Sequence, residues 1–227
     1  MQMADTLYLS LWYPNLRLEA LPGKLTAVLG AFATHGGEAK IYSATVWPVS
    51  WNEAPVLERV YGRMSRGMGQ APGAEPRQAV EEATELLHED YAYEFQIGWS
   101  LWELESPEVS PSANSAPHPS AQQDRQYLRW VCAPRLARVT GYGPLFDEGT
   151  YEQEGHIKID FGSDAPFLEE DADLDVVGAK HVAENVRQLL ELTAAVEKAS
   201  GATARLLWSE LGESLASRLA ARLGMEN

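Results

Sequence analysis

Cysteine is nearly absent: Cys132 stands alone in 227 residues, which excludes an intrachain disulfide and any cysteine-based zinc cluster. No apolar run approaches the ~20 residues a bilayer-spanning helix needs. The opening Met1-Gln2-Met3-Ala4-Asp5 lacks the cationic stretch of a secretory leader. The expectation is a soluble, cytoplasmic protein. Cations are also scarce, 18 Lys and Arg against 33 Asp and Glu, for a net charge of −15. Such a chain repels phosphates, so nucleic acid and anionic membranes are disfavoured as partners.

Catalytic signatures are missing too. There is no G-x-S-x-G elbow, no H-E-x-x-H pair and no G-K-[ST] loop. The glycine pairs Gly67/Gly69 and Gly141/Gly143 lack the third glycine and following helix of a dinucleotide site. Cys132, inside the apolar run Trp130-Val131-Cys132-Ala133, reads as a small buried hydrophobe. His88-Glu89-Asp90 reads as a helix end in which the imidazole faces the negative dipole. No catalytic residue and no cofactor is assigned, and no segment carries a family signature.

What is present suits a folded chain: 45% hydrophobic and 22% charged residues are ordinary for a globular protein. At this length roughly 70% of the unfolded surface can be buried without a staple. Arg outnumbers Lys 13 to 5, a bias associated with GC-rich bacterial genomes.

Periodicity gives the elements. Leu7, Leu9 and Leu11 alternate with Tyr8, Ser10 and Trp12, a strand ending at Pro14. Residues 18–32 carry Leu21, Leu25, Val28, Leu29 and Phe32 at helical spacing, with Pro22 in the first turn and Gly36-Gly37 as a stop. Strands follow at 41–47 and 56–61, a helix at 77–88, and the clearest strand of all at 93–102. The N-terminal half, 1–105, is thus β-α-β-β-α-β, the ferredoxin-like order. Residues 106–126, rich in Pro, Ser and Ala, read as a disordered insertion, and 62–76 as a mobile loop.

The C-terminal half, 127–227, reads β-β-β-α-β-α. Two strands lie on either side of Pro134, and a third carries Ile157, Ile159 and Phe161 and closes at Gly162. A long helix spans 178–200 and stops at Gly201, followed by a short buried strand at 206–208 and a helix at 213–223. The fold class is α+β, a mostly antiparallel sheet or pair of sheets with helices packed on one face.

Charge is concentrated. Between Phe146 and Asp175 stand eleven carboxylates and one cation, Lys158, a net −10 in thirty residues. This can be a landing site for a basic partner, and a solvated loop leading into a helix accounts for the same letters. Asp171, Asp173 and Asp175 have the opening spacing of a calcium loop, yet Val176 and Val182 stand where its glycine and glutamate belong. Glu154, His156 and Asp160 offer an alternative metal cluster if one strand face holds them. Lys158 sits in the middle of that row.

Seven tryptophans form the second concentration. Trp12 and Trp102 are out of phase with the core of their strands, which with Tyr8 and Tyr42 suggests an aromatic face. Trp47-Pro48-Val49-Ser50-Trp51 adds a loop beside it. The functional expectation is a non-enzymatic binding protein, an acidic inhibitor or immunity-type protein for a basic protein partner. Its contact residues are Trp47, Trp51, Trp102, Asp147, Glu148, Glu152 and Glu154. The alternatives are a metal-dependent enzyme on the Glu154, His156, Asp160 trio, or small-ligand binding in a crevice between the halves lined by Trp47, Trp51 and Trp102.

Overall fold

The computed structural model describes residues 5–35, 40–63, 73–105, 129–168, 174–210 and 215–224. The insertion expected at 106–126, the acids Glu169, Glu170, Asp171 and Asp173, and the glycine stop at 36–37 lie outside these residues. Seven strands form one antiparallel sheet: β1 (Thr6–Trp12), β2 (Ile41–Pro48), β3 (Leu57–Val60), β4 (Tyr91–Glu105), β5 (Arg129–Tyr142), β6 (Ile157–Ser163) and β7 (Ala204–Ser209). The helices are α1 (Leu21–His35), α2 (Pro76–Ala83), α3 (Tyr151–Glu154), α4 (Ala165–Leu168), α5 (Val176–Ser200) and α6 (Leu215–Gly224).

The α+β class therefore holds, but the ferredoxin-like arrangement does not. The order β-α-β-β-α-β is present, yet the sheet runs β3-β2-β4-β5-β6-β1-β7. β1 lies between β6 and β7, with β5 and β6 separating it from β4. The boundary at the insertion divides the chain but not the sheet, because a strand of the first half completes the ladder of the second.

The period-2 pattern decides the two faces. Leu7, Leu9 and Leu11, Phe95, Ile97 and Trp99, Val139, and Ile157, Ile159 and Phe161 join one core with Leu25, Phe32, Val186 and Leu189 from α1 and α5. Gly141 takes its place on this face because an added Cβ would meet Leu25 at 3.0 Å. α5 begins at an Asp175 cap, whose carboxylate accepts from Gly178 N at 2.7 Å, and ends at Gly201 in the left-handed region.

Three local expectations change. Pro134 does not separate two strands: β5 is continuous, with Pro134 opposite Ser100. β6 reaches only to Arg138, so beyond that point β5 has, among the described residues, a neighbour on one side and tolerates a missing N–H. α2 ends at Ala83, short of His88, and the segment after it is held by the buried Tyr93 hydroxyl. That oxygen accepts from His88 N at 2.8 Å and donates to Leu86 O. His88 pairs with Asp90 at 2.5 Å and caps no helix. β7 is an exposed edge, with Leu206 52% accessible.

The far halves of β4 and β5 extend past β2 and β6 as a two-stranded ribbon that rests on α5. Asn185, fully buried on α5, serves the free edge of β4. Its Oδ1 accepts from Trp102 N at 2.9 Å, and its Nδ2 donates to Trp102 O at 2.8 Å and Pro166 O at 2.7 Å. One side chain thus replaces the missing strand neighbour.

Candidate functional site

The uncovered face of the sheet carries the residues that alternate with the core set. Register places Arg138 opposite Asp160 and Gln96, and Thr140 opposite Lys158 and Glu94. Tyr8 on β1 lies opposite Asp160. Over this floor rises the segment from Gly143 to His156, and together they enclose an open cavity of about 820 Å³.

The wall is anchored by a small second core of Ala92, Tyr142 and Phe146, with Trp47 and Tyr151 packed on it. Phe146 is fully buried, and Trp51 meets it edge-on at 5.0 Å and 81°. Trp47 and Trp51 contact each other at 5.7 Å and 63°. The backbone adds Asp147 N to Val49 O at 2.8 Å and Leu145 N to Glu89 O at 2.8 Å. The first of these bonds joins the Trp47–Trp51 turn to the acidic loop, and the second ties that loop to the segment before β4. Asp147 and Glu148 both have positive φ, 44° and 57°, a conformation costing non-glycine residues roughly 1 kcal/mol each. The buried Phe146 ring and the bond to Val49 offset that cost.

Five carboxylates line the cavity, Glu94, Asp147, Glu148, Glu154 and Asp160, against two cations, Arg138 and Lys158. Both cations have partners already. Lys158 pairs with Glu154, and its Nζ lies 4.4 Å from the Tyr8 ring centre. Arg138 lies 3.6 Å from Glu94 and 3.9 Å from Asp160. Burial pushes the Glu94 carboxyl above its usual range; Arg138 opposes the shift and Asp160 adds to it. The Tyr8 phenol is pushed up to about 12, chiefly by burial and then by its bond to Glu210. Burial, reinforced by Glu154 and Glu94, also raises Tyr142.

Trp47, Trp51, Asp147, Glu148 and Glu154 converge on this cavity from two separate loops. Trp102 does not join them. The ribbon carries it to α5, where its ring stacks on His181 at 3.9 Å. Glu152 is exposed on α3, outside the lining. The remaining acids divide: Asp175 caps α5, and the buried Asp164 accepts from Asp5 N and pairs with Arg218 at 3.3 Å. Tyr42 is buried, and Cys132 is exposed. Partial desolvation raises the Cys132 thiol, and the neighbouring Glu184 and Glu103 act in the same direction.

Sequence reasoning passed over Glu94, Arg138 and Thr140. Their one signal is polarity at positions out of phase with the core, which any solvated strand face shares.

The Glu154, His156, Asp160 trio does not assemble. His156 Nδ1 accepts from Tyr13 N at 3.2 Å on the far side of the wall, Glu154 pairs with Lys158, and Asp160 accepts from Gly162 N at 2.7 Å. Gly155, with φ +90°, turns the chain so that His156 leaves the row that continues through Lys158 and Asp160. Among the described residues no three His, Cys, Asp or Glu side chains are grouped to hold a metal ion.

Comparison of the chain with protein-family models, with characterised proteins and with solved structures found no match.

Proposed function

We propose that the chain is a binding protein whose acidic, aromatic-walled cavity docks a basic protein partner, as an inhibitor or immunity-type protein does. The observation that carries this reading is the convergence of Trp47, Trp51, Asp147, Glu148 and Glu154 on one concave face. Lys158 and Arg138 are taken up by Glu154, Glu94 and Asp160. Asp147 and Glu148 remain at the rim without a cationic partner among the described residues. Carboxylates steer a basic surface into place, and tryptophan faces accept a guanidinium by stacking. Two segments joined by the Asp147 N to Val49 O hydrogen bond and by the packing of Trp51 on Phe146 hold these groups before the partner arrives, which lowers the ordering cost of association.

The test is fluorescence anisotropy with a labelled peptide of alternating Arg and Gly. Wild type should bind it, with affinity falling at least about tenfold between low and high salt. The Asp147→Lys/Glu148→Lys double variant should bind roughly thirtyfold more weakly. Glu184→Lys/Glu191→Lys, which changes net charge equally on the helical side, should keep it. Equal binding by the two double variants would mean that only the overall charge matters, and the site reading would fall.

A further inference from the structure

A second cavity, of about 340 Å³, lies behind the wall that bounds the first. It is bordered by the end of β1 and the turn after it, the first residue of α1, and the inner side of the Gly143–His156 segment. Tyr13, Tyr142 and Tyr151 supply rings, Leu16, Leu18 and Leu21 supply aliphatic surface, and His156 supplies an imidazole. Among the described residues no carboxylate or cation lines it, although two of its residues, Tyr151 and His156, belong to the most acidic stretch of the chain.

His156 is fixed in one protonation form by geometry. Its Nδ1 accepts the backbone N–H of Tyr13 at 3.2 Å, and a nitrogen that accepts cannot also carry the proton. The proton of the neutral ring is therefore on Nε2, which makes that atom a donor. The ring is held on two sides, by Tyr151 with centres 4.8 Å apart and by Tyr13 at 6.0 Å edge-on. Burial alone lowers its pKa, in keeping with a lining that offers an imidazolium no carboxylate. The result is a ring-lined pocket without formal charge among the described residues, in which the His156 Nε2–H is a donor of fixed tautomer beside the Asn15 amide and the phenols of Tyr13, Tyr142 and Tyr151. Its volume suits a single small ring system and not a peptide segment.

We infer that this cavity binds a small, neutral aromatic molecule carrying a hydrogen-bond acceptor, with His156 Nε2–H donating to that acceptor. The rings and the three leucines take the aromatic ring, and the imidazole donor sets its orientation. A cation gains nothing here, because no carboxylate faces the cavity; an anion gains one hydrogen bond and no counter-charge. The inference is independent of the basic-partner reading, since the two linings share only Tyr142 and none of the residues proposed to meet the partner.

Benzamide, benzamidine and toluene test it, being a neutral acceptor, a cation and a ring without an acceptor on nearly the same skeleton. The readout is the set of imidazole carbon–proton signals of the full chain, with the His156 signal identified by its loss in His156→Gln. Benzamide should shift the His156 signal with a dissociation constant near or below about 1 mM. Toluene should bind about fivefold more weakly, the worth of one neutral hydrogen bond, and benzamidine should leave the signal in place. Leu16→Trp, which fills the cavity, should abolish the benzamide shift with the far-ultraviolet spectrum retained. If that variant does not fold, the benzamide-to-toluene ratio still decides. Absence of a His156 shift up to about 10 mM benzamide, equal binding of toluene, displacement of benzamide by benzamidine, or unchanged affinity in folded Leu16→Trp would each overturn the site. A pocket reserved for a partner's side chain would give the first of these results.

Discussion

The two cavities share a wall and differ in nearly everything else. The Gly143–His156 segment borders both, and Tyr142 lines both. On one side seven formally charged residues line an open cavity over a strand floor; on the other, among the described residues, there are none. The difference arises from three-dimensional placement and not from regional composition. β5 and β6 send Arg138, Lys158 and Asp160 to the uncovered face, whereas the turn at Gly155 rotates His156 to the other side of the wall. A segment rich in carboxylates can therefore border a neutral pocket, because each carboxylate needs water or a cation and the uncovered face supplies both.

The largest perturbation removes the element the two cavities share. Phe146→Ala empties the small core beneath the wall and should cost about 3 kcal/mol of stability in denaturant titration, weakening both the basic-peptide and the benzamide responses together. Loss of one response alone would show that the wall is not a common support. Next, Asp147→Lys/Glu148→Lys should weaken basic-peptide binding by roughly thirtyfold, from like-charge repulsion at the rim, while benzamide affinity stays within about twofold. A parallel loss of benzamide binding would erase the distinction between the two sides.

His156→Gln addresses the neutral side only. It should weaken benzamide about fivefold in calorimetric titration, as loss of one hydrogen bond does, and leave the peptide response unchanged. The same variant tests proton linkage. The folded imidazole has a lowered pKa, so the unfolded chain takes up its proton first. Wild-type stability should fall as pH drops below about 6.5, the ordinary histidine value. His156→Gln should show a shallower decline in thermal melts between pH 7 and pH 5. An identical slope would show that the imidazole takes up its proton equally well in both states.

Glu94 gives the smallest effect, on the charged side. Its carboxyl is raised by burial, so ionisation is costlier in the folded state than in the unfolded one. The penalty is absent below the ordinary carboxyl pKa and complete once pH has risen through the folded value. Glu94→Gln should therefore raise the melting temperature at pH 7 and leave it unchanged at about pH 3, well below the unfolded carboxyl pKa. A lower melting temperature at pH 7 would mean that the contact with Arg138 outweighs the cost of burial.

Local elements were legible where one neighbour type dominates. The alternation through Tyr93, Phe95, Ile97 and Trp99 and the spacing of Val182, Val186 and Leu189 each face a single apolar layer, so periodicity reports their orientation directly. The Trp47–Trp51 turn and the Asp147–Glu154 segment were both picked out by residue type. Their meeting was not visible, because the hydrogen bond from Asp147 N to Val49 O joins residues 98 positions apart. Trp102 was placed wrongly for a related reason. Alternation puts it opposite Leu101, but past the last β2 pair the ribbon lies against α5, and Asn185 binds its backbone. Pro134 misled because a proline is a strand breaker only where both edges of the strand are paired.

By itself the sequence determined the α+β class, most of the strands and helices, the helix stop at Gly201, and a concentration of acids beside two tryptophans, all consequences of interactions within a few residues. Tertiary structure alone decided that β1 sits between β6 and β7, that both halves share a sheet, and which side of one wall each polar group of 143–156 would face. Those outcomes depend on pairing between strands far apart in the chain, where many registers satisfy the same local alternation and only packing of the whole core selects one.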